Sequence, residues 1–335
     1  VRGLARVRKL SVSVSWQFDM KKEDAFALAK AADDCGVHSF WVPEAWSRDA
    51  FSLLISLAEK TKQIQLATGI VNVYSRTPAA LAQHFATLDE WSGGRAIIGL
   101  GASSANVVEQ FHGVPFNPSF ARIRETVEII NMLMRGDPLV YEGRWFRFDR
   151  GFTLRFKPVR PHIPVFLATM APKSVQMTAE IADGWMPVMI PRSAMAAEIG
   201  RFRDLVAAAG RDPRAVEVKL GGVTVSDDPA ARDSGRGFLA YYIARMGTFY
   251  SKQLARFGYA DEVAAIKKVF DEQGSAAGAA AIPRELLDDL GFAGSADDCL
   301  AHLRENEARG VDIHSVSIDH RDPVAFGRAI ETLLR

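Results

Sequence analysis

The chain has 335 residues, 48% of them hydrophobic, with 41 basic and 40 acidic side chains and a formal net charge of +1. That composition can fill a large core, and it lacks the charge excess that nucleic acid or an anionic membrane attracts. Apolar runs stop short of the roughly 18–20 residues that span a bilayer, the basic opening VRGLARVRKL has no apolar signal region, and the two distant cysteines, Cys35 and Cys299, read as buried or idle thiols, so the expected compartment is the cytosol.

Strand and helix signals alternate from the start. KLSVSVSW (9–16) alternates apolar and polar residues and reads as a strand. KKEDAFALAKAADDCG (21–36) has helical spacing, with Phe26, Leu28, Ala29 and Ala32 inward and Gly36 as its C-terminal stop. HSFWVPE (38–44) is a short strand. DAFSLLISLAEKT (49–61) is a helix with Asp49 as N-cap. IQLATGIV (64–71) is a strand, and TPAALAQHFATLDEWSGG (77–94) a helix with Thr77 at the cap, Pro78 at the first position and Gly93-Gly94 as the stop. RAIIGLGAS (95–103) is the fourth strand, followed by a helix over 119–135.

The rhythm breaks at 137–162, an excursion rich in aromatics, glycine and proline. It returns with a strand at 163–171, a helix at 172–184, a strand at 184–190 and a helix at 193–210. VEVKLGGVTVS (216–226) is the next strand. A mostly helical stretch, 228–309, includes DEQGSAAGAAAIP, which reads as a mobile segment. A strand at 313–319 and a helix at 322–335 close the chain. Eight strands separated by single amphipathic helices predict a (β/α)8 barrel of the TIM type, with a doubly wound open sheet as the alternative. The unusual residues cluster after strands, which is where barrel sites are built.

Those strand ends hold the candidates for chemistry. GLGASS (99–104) has Ser104 where a dinucleotide fingerprint needs its third glycine, and it follows the fourth strand and not the first. Its glycines still permit close approach of a ligand, or simply form a tight turn. WVPEAW (41–46) places Glu44 and Trp46 past the second strand, either as a proton-shuttling carboxylate beside an aromatic wall or as a surface acid and a packed indole. His112, in EQFHGVPF, is placed to line the mouth, whereas His84 and His302 lie within helices. No metal-ligand spacing and no nucleophile–base motif is found. A barrel with glycine-lined strand ends and neither device points to chemistry supplied by an organic cofactor.

The segment LATGIVNVYSRTPAALAQHFATLDEWSGGRAIIGLGAS (66–103) resembles the core signature of the bacterial luciferase-like flavin and deazaflavin oxidoreductases. IPVFLATMAPKSVQMTAEIADGWMP (163–187) is similar to the fifth β-α unit and sixth strand of that family. FAGSADDCLAHLRENEARGVD (292–312) is similar to its C-terminal helix motif. The resemblance runs over nearly the whole chain and is weakest in 137–162 and 226–290. Within the family the sequence looks most like the branch that uses coenzyme F420, a deazaflavin, and there like methylenetetrahydromethanopterin reductase. FMN is the alternative cofactor.

This resemblance implies one luciferase-like (β/α)8 domain over 1–335, with insertions around 137–162 and 226–290. It implies a bulge on the third strand with a non-prolyl cis peptide at Gly69–Ile70 behind the cofactor ring. The cofactor-binding set it implies is Ser15, Thr68, Gly69, Ile70, Asn72, Gly101, Ala102, Ser103, Ala168, Thr169, Met170, Ala171 and Pro172, with an anion held where the helix opens near Pro172. Glu44 and Trp46 are the catalytic candidates. Ala45 stands where many relatives carry a histidine, so an imidazole acid/base is missing there. Arg76 and Pro78 read as the start of the next helix. Three functions follow: hydride transfer between the deazaflavin and a small organic substrate, an FMN-dependent monooxygenase, and a non-catalytic flavin-binding relative. A homodimer is the expected assembly, with neither nucleic acid nor membrane as partner.

Overall fold

Strands and helices alternate through the computed structural model of the chain, which describes residues 8–14, 20–117, 120–319 and 321–335. First come β1 (Lys9–Ser13), α1 (Lys22–Asp34), β2 (Ser39–Val42), α2 (Ala50–Ala58), β3 (Gln65–Thr68), β4 (Val71–Asn72), α3 (Pro78–Trp91) and β5 (Ala96–Gly101). A π-helical turn, Asn106–Phe111, precedes α4 (Phe120–Arg135), β6 (Leu139–Glu142), β7 (Arg147–Phe152), β8 (Val165–Ala168), α5 (Pro172–Ile181) and β9 (Gly184–Trp185). Then follow α6 (Arg192–Ala208), β10 (Glu217–Val225), α7 (Arg236–Arg245), α8 (Thr248–Arg256), α9 (Ala260–Gln273), α10 (Ser275–Ala280) and α11 (Arg284–Leu290). The last elements are β11 (Phe292–Gly294), α12 (Ala296–Ala308), β12 (Ile313–Ile318) and α13 (Pro323–Leu334).

The helix signals work as the sequence implies. Asp49 accepts from Ser52 N (2.7 Å) and Thr77 from Ala80 N (3.2 Å), each capping its helix. Gly36, Gly93 and Gly94 all have positive φ past helix ends. In α1 the buried face is Ala25, Leu28, Ala29 and Ala32. Phe26, expected inward, is only half-buried, with the Lys60 ammonium over its ring at 5.0 Å.

The chain divides into two compact units. One spans Val12–Met186 and Leu205–Val216. Its sheet runs β1-β2-β3-β5-β8-β9 in chain order, with parallel pairing from β2 to β9. A doubly wound sheet reverses its strand order at a switch point. This sheet does not, and β1, β2, β3, β5, β8, β9, β10 and β12 are the strands of a (β/α)8 barrel. The excursion at 137–162 forms the antiparallel β6–β7 pair. Glu125 of α4 holds it by accepting from the backbone N–H groups of Arg144, Trp145 and Phe146.

The strand beginnings in this unit are pinned by buried polar clamps. Arg95 donates to Ser92 O, Thr61 Oγ1, Ile64 O, Ala58 O and Thr61 O, all within 2.7–3.0 Å. Asp33 accepts from three successive N–H groups, those of Lys62, Gln63 and Ile64. Asp89, fully buried, accepts from Ala96 N and pairs with the Arg160 guanidinium. Together these bonds satisfy the backbone where β3 and β5 start, a place that water would otherwise have to serve.

The second unit contains Pro187–Asp204 and Glu217–Arg335 with the start of β1. Its parallel order is β11-β10-β12-β1. β11 is a strand inside the stretch read as helical. Helices α7 to α11 enclose a small core that includes Leu239, Ile243, Leu254, Ile266, Phe270 and Leu286. The alanine-glycine stretch forms α10 and is not a loose segment: Gly278 lies so close to Phe270 that a Cβ would stand 2.6 Å from the ring. No helix among the described residues is long and apolar enough to cross a membrane.

Two histidines of this unit are buried. His314 on β12 is 1% exposed, and neither ring nitrogen has a hydrogen-bond partner. His302 on α12 stacks on Phe292 at 4.5 Å. Burial pushes both down to about 4, and the Arg192 guanidinium adds to the effect on His302. Each therefore binds its proton in the unfolded chain first. Their stabilising contribution is complete above the ordinary histidine value near 6.5 and is lost progressively as the pH falls toward 4. Urea midpoints should accordingly drop across that window. The double variant His302→Gln/His314→Gln, less stable at pH 7.5, should show a flatter slope there.

Candidate functional site

The site begins with a change of register. β3 pairs Leu66 with Ala96 and Ala67 with Ile97, whereas β4 pairs Val71 with Leu100 and Asn72 with Gly101. One extra residue therefore lies on the third strand, which is a bulge. The Gly69–Ile70 peptide within it is cis, as the resemblance implies. The bulged backbone is fully used: Gly69 N donates to Val42 O at 2.8 Å, and Glu44 N donates to Ile70 O at 3.2 Å. Thr68 replaces the missing ladder bonds with its side chain, donating to Gly99 O (2.7 Å) and accepting from Gly99 N (2.9 Å). Its hydroxyl thus serves the strand contact, with its one proton given to Gly99 O. Gly99 allows this approach, since a Cβ there would stand 1.8 Å from Thr68 O.

Past β2, Glu44 is held in place. Its two oxygens pair with Arg76 Nη1 (2.5 Å) and Nη2 (3.0 Å), and Oε2 also accepts from Ala50 N (2.9 Å) at the start of α2. Arg76 reaches Asp49 as well, at 2.6 Å. Burial disfavours the Arg76 charge, but the two carboxylates outweigh it and hold its pKa above the ordinary value. Both Glu44 oxygens are hydrogen-bonded, so the carboxylate anchors the loop. Arg76, read as a helix start, is the cation that holds Glu44. Trp46 is half-buried, and an indole has no proton to exchange at neutral pH.

At the end of β5, Gly101 faces Ile70: a Cβ on it would meet Ile70 Cδ1 at 3.1 Å and Ala168 Cβ at 3.4 Å. Ala102 and Ser103 are half-buried, and Ser103 has a positive φ of 63°. That turn tucks Ser104 inward. It is 2% exposed, and its Oγ has no hydrogen-bond partner. A buried hydroxyl with nothing to bind is costly unless a ligand completes it. Asn72, fully buried, spends its Oδ1 on the N–H groups of Tyr74 (2.9 Å) and Ser75 (2.8 Å). Its Nδ2 lies 3.4 Å from His112 Nε2, at the close of the π-helical turn.

At the end of β8, Ala168 and Met170 are half-buried, and Ala171 and Pro172 are exposed. Thr169 differs from expectation. Its Oγ1 bonds Thr178 Oγ1 at 2.7 Å, and its carbonyl accepts from Trp185 Nε1 at 3.0 Å, so it ties β8 to α5 and β9. The N-terminus of α5 has no side-chain cap. Lys173, exposed on its first turn, adds a positive charge to the positive end of the helix dipole, where the Ser174 and Val175 N–H groups turn back to Ala171 O. Ser15 lies outside the described residues.

Strands three, four and five thus end side by side on one face, with Gly69, Ile70, Asn72, Gly101, Ser104 and His112 around them. Ser104 lies beside the implied set and Lys173 on the first turn of α5, and His112, read from the sequence as a mouth residue, stands next to Asn72. Ser104 was legible as the residue breaking the G-x-G-x-x-G pattern. Among the described residues no group of His, Cys, Asp and Glu could hold a metal ion. The surroundings offer apolar contact, one orphan hydroxyl and one imidazole, which suits binding and orienting a flat organic molecule.

Comparison with known proteins gives the family and the fold. Residues 9–313 match the family model described as luciferase-like monooxygenase. A Mycobacterium tuberculosis protein with the provisional name of coenzyme F420-dependent oxidoreductase is 32% identical, over 94% of this chain and 96% of its own. The 5,10-methylenetetrahydromethanopterin reductase of Archaeoglobus fulgidus is 32% identical over 88% of this chain and 89% of its own. The structure of the coenzyme F420 dependent tetrahydromethanopterin reductase of Methanopyrus kandleri superposes with a TM-score of 0.82 at 22% identity, covering 99% of this chain and 98% of that one.

The anchoring role of Glu44 has a direct consequence. Glu44→Gln removes one of the two carboxylates on Arg76 and should lower the unfolding free energy by about 1–3 kcal/mol, the range for a hydrogen bond to a charged group. Chemical denaturation checks this. A variant as stable as the wild type would contradict the role.

Proposed function

The chain belongs to the luciferase-like monooxygenase family, and from that membership we propose that it is a coenzyme F420-dependent oxidoreductase acting on a small organic substrate. The observation that carries the reading is the bulge at Gly69–Ile70 facing Gly101, with the orphan Ser104 hydroxyl beside it. The names borne by relatives at 32% identity support a deazaflavin as the occupant.

The residues present fit such a group. Gly69, Ile70 and Asn72 on the third strand, with Gly101, Ala102 and Ser103 on the next, would back its ring. Ser104 Oγ would bond a polar atom of it and so complete its own hydrogen bonding. Ala168, Met170, Ala171 and Pro172 would border its side arm, with the uncapped α5 N-terminus and Lys173 meeting a phosphate. When bound, the deazaflavin supplies hydride exchange at one ring carbon. The chain supplies orientation of the two reactants and exclusion of water around them.

An FMN-dependent monooxygenase is the second reading, favoured by the description of the family model. Titration with F420 and with FMN, followed by fluorescence, separates the two. F420 should bind at least about tenfold more tightly, a difference of about 1.4 kcal/mol. Preference for FMN, with oxygen-dependent turnover of the reduced flavin, would reverse the assignment.

Ser104→Ala tests the site itself. Deleting an unpartnered hydroxyl should leave the stability of the free protein unchanged or slightly raised. F420 affinity should fall roughly 2–10-fold, the worth of one neutral hydrogen bond. Unchanged affinity, or loss of stability without ligand, would remove Ser104 from the site.

A further inference from the structure

If Glu44 is committed to Arg76 and Ala50, the site needs another group to handle charge developing on a substrate. The imidazole expected after the second strand is absent at Ala45. Four described histidines lie in the unit that carries the site. His38 precedes β2, His84 sits within α3 with Nδ1 at 2.6 Å from Ala80 O, and His162 precedes β8 with Nε2 at 2.8 Å from Asp183. His112 caps the π-helical turn that follows the C-terminal end of β5 and reaches Asn72 at the end of β4.

The hydrogen bonding around Asn72 determines the state of that imidazole. Two backbone N–H groups donate to Asn72 Oδ1, so the amide orientation is fixed and Nδ2 is the donor toward His112. A donor facing Nε2 requires that nitrogen to be unprotonated. The ring is then neutral and carries its proton on Nδ1. An imidazolium would set an N–H against the Asn72 NH2 group. Among the described residues Nδ1 has no hydrogen-bond partner, and it is not among the buried unpartnered atoms, so its N–H is open to solvent or a ligand.

We propose that Asn72 and His112 form a dyad in which Asn72 fixes the tautomer and the Nδ1–H of neutral His112 polarises the oxygen of a carbonyl substrate. The proposal rests on the F420 reading above. A reduced deazaflavin bound here would supply the hydride that forms the new C–H bond at the carbonyl carbon, with the C=O π pair moving onto oxygen. Nδ1–H would hold that oxygen while it takes a proton from water, and the proton released by the oxidised deazaflavin would neutralise the hydroxide left behind, giving the alcohol. His112 gives up no proton. A neutral imidazole acts here as a hydrogen-bonding electrophile, which suits an uncharged carbonyl compound.

The test uses 15N-histidine-labelled protein at pH 7.5, with His112→Gln assigning the His112 signals by their loss. The wild type should carry its proton on Nδ1, with Nε2 as acceptor. Asn72→Asp keeps an oxygen for the Tyr74 and Ser75 N–H groups but presents a carboxylate to His112, so Nε2 should become protonated. Saturating oxidised F420, with binding verified by fluorescence, should shift the His112 resonances. Acetone labelled with 13C at its carbonyl, added as probe with F420 present, should move downfield with the wild type and not with Asn72→Asp. An Nε2–H tautomer in the wild type, an unchanged tautomer in Asn72→Asp, His112 signals unmoved by bound F420, or an unshifted carbonyl would overturn the proposal. If the wild type does not bind F420, the F420 reading fails and the carbonyl role with it, while the two tautomer measurements still judge the dyad.

Discussion

The contact between Thr68 and Gly99 is the constraint on which the site depends. Two parallel strands approach until the Thr68 side chain takes over the hydrogen bonds that a regular ladder would make. No side chain larger than hydrogen is tolerated at Gly99, because Thr68 O already occupies the position of a Cβ. The third strand can then leave the ladder for one residue and rejoin it at Val71 and Asn72. That detour brings Ile70 against Gly101 and places Asn72 opposite the turn that carries Ser104 and His112.

The two ends of these strands are built from different materials. At the N-terminal ends, Arg95, Asp33 and the Asp89–Arg160 pair bond the backbone where β3 and β5 begin. Such closed networks rigidify a fold and leave nothing for a ligand. At the C-terminal ends, polar groups remain unfinished: the Ser104 hydroxyl and the uncapped start of α5. Incomplete hydrogen bonding grouped on one face of a firmly held scaffold is how a barrel can combine stability with binding.

Much of this was legible in the sequence, and the limits have physical causes. Caps at Asp49 and Thr77 are local, made within three residues, so the residue types alone reveal them. The bulge came from resemblance: composition gives a strand from 64 to 71 but cannot show that it slips register. Glu44 and Arg76 are 32 residues apart. Nothing in either stretch announces the pair, so the acid looked available and the arginine looked like a helix start. Thr68 and Thr169 entered the cofactor set through the resemblance, and residue type alone does not show that both hydroxyls bond inside the protein. Alanine and glycine at 275–281 suggested mobility, but Gly278 is small because Phe270 packs on it.

An experimental structure with F420 bound, read for the position of the ring, tests the central claim most directly. The ring should lie against the backbone of residues 69–70, with Gly101 on the neighbouring strand, Ser104 Oγ bonded to the ligand and the phosphate near the start of α5. A ring bound away from the third-strand bulge, or a Ser104 hydroxyl still without a partner in the complex, would contradict it.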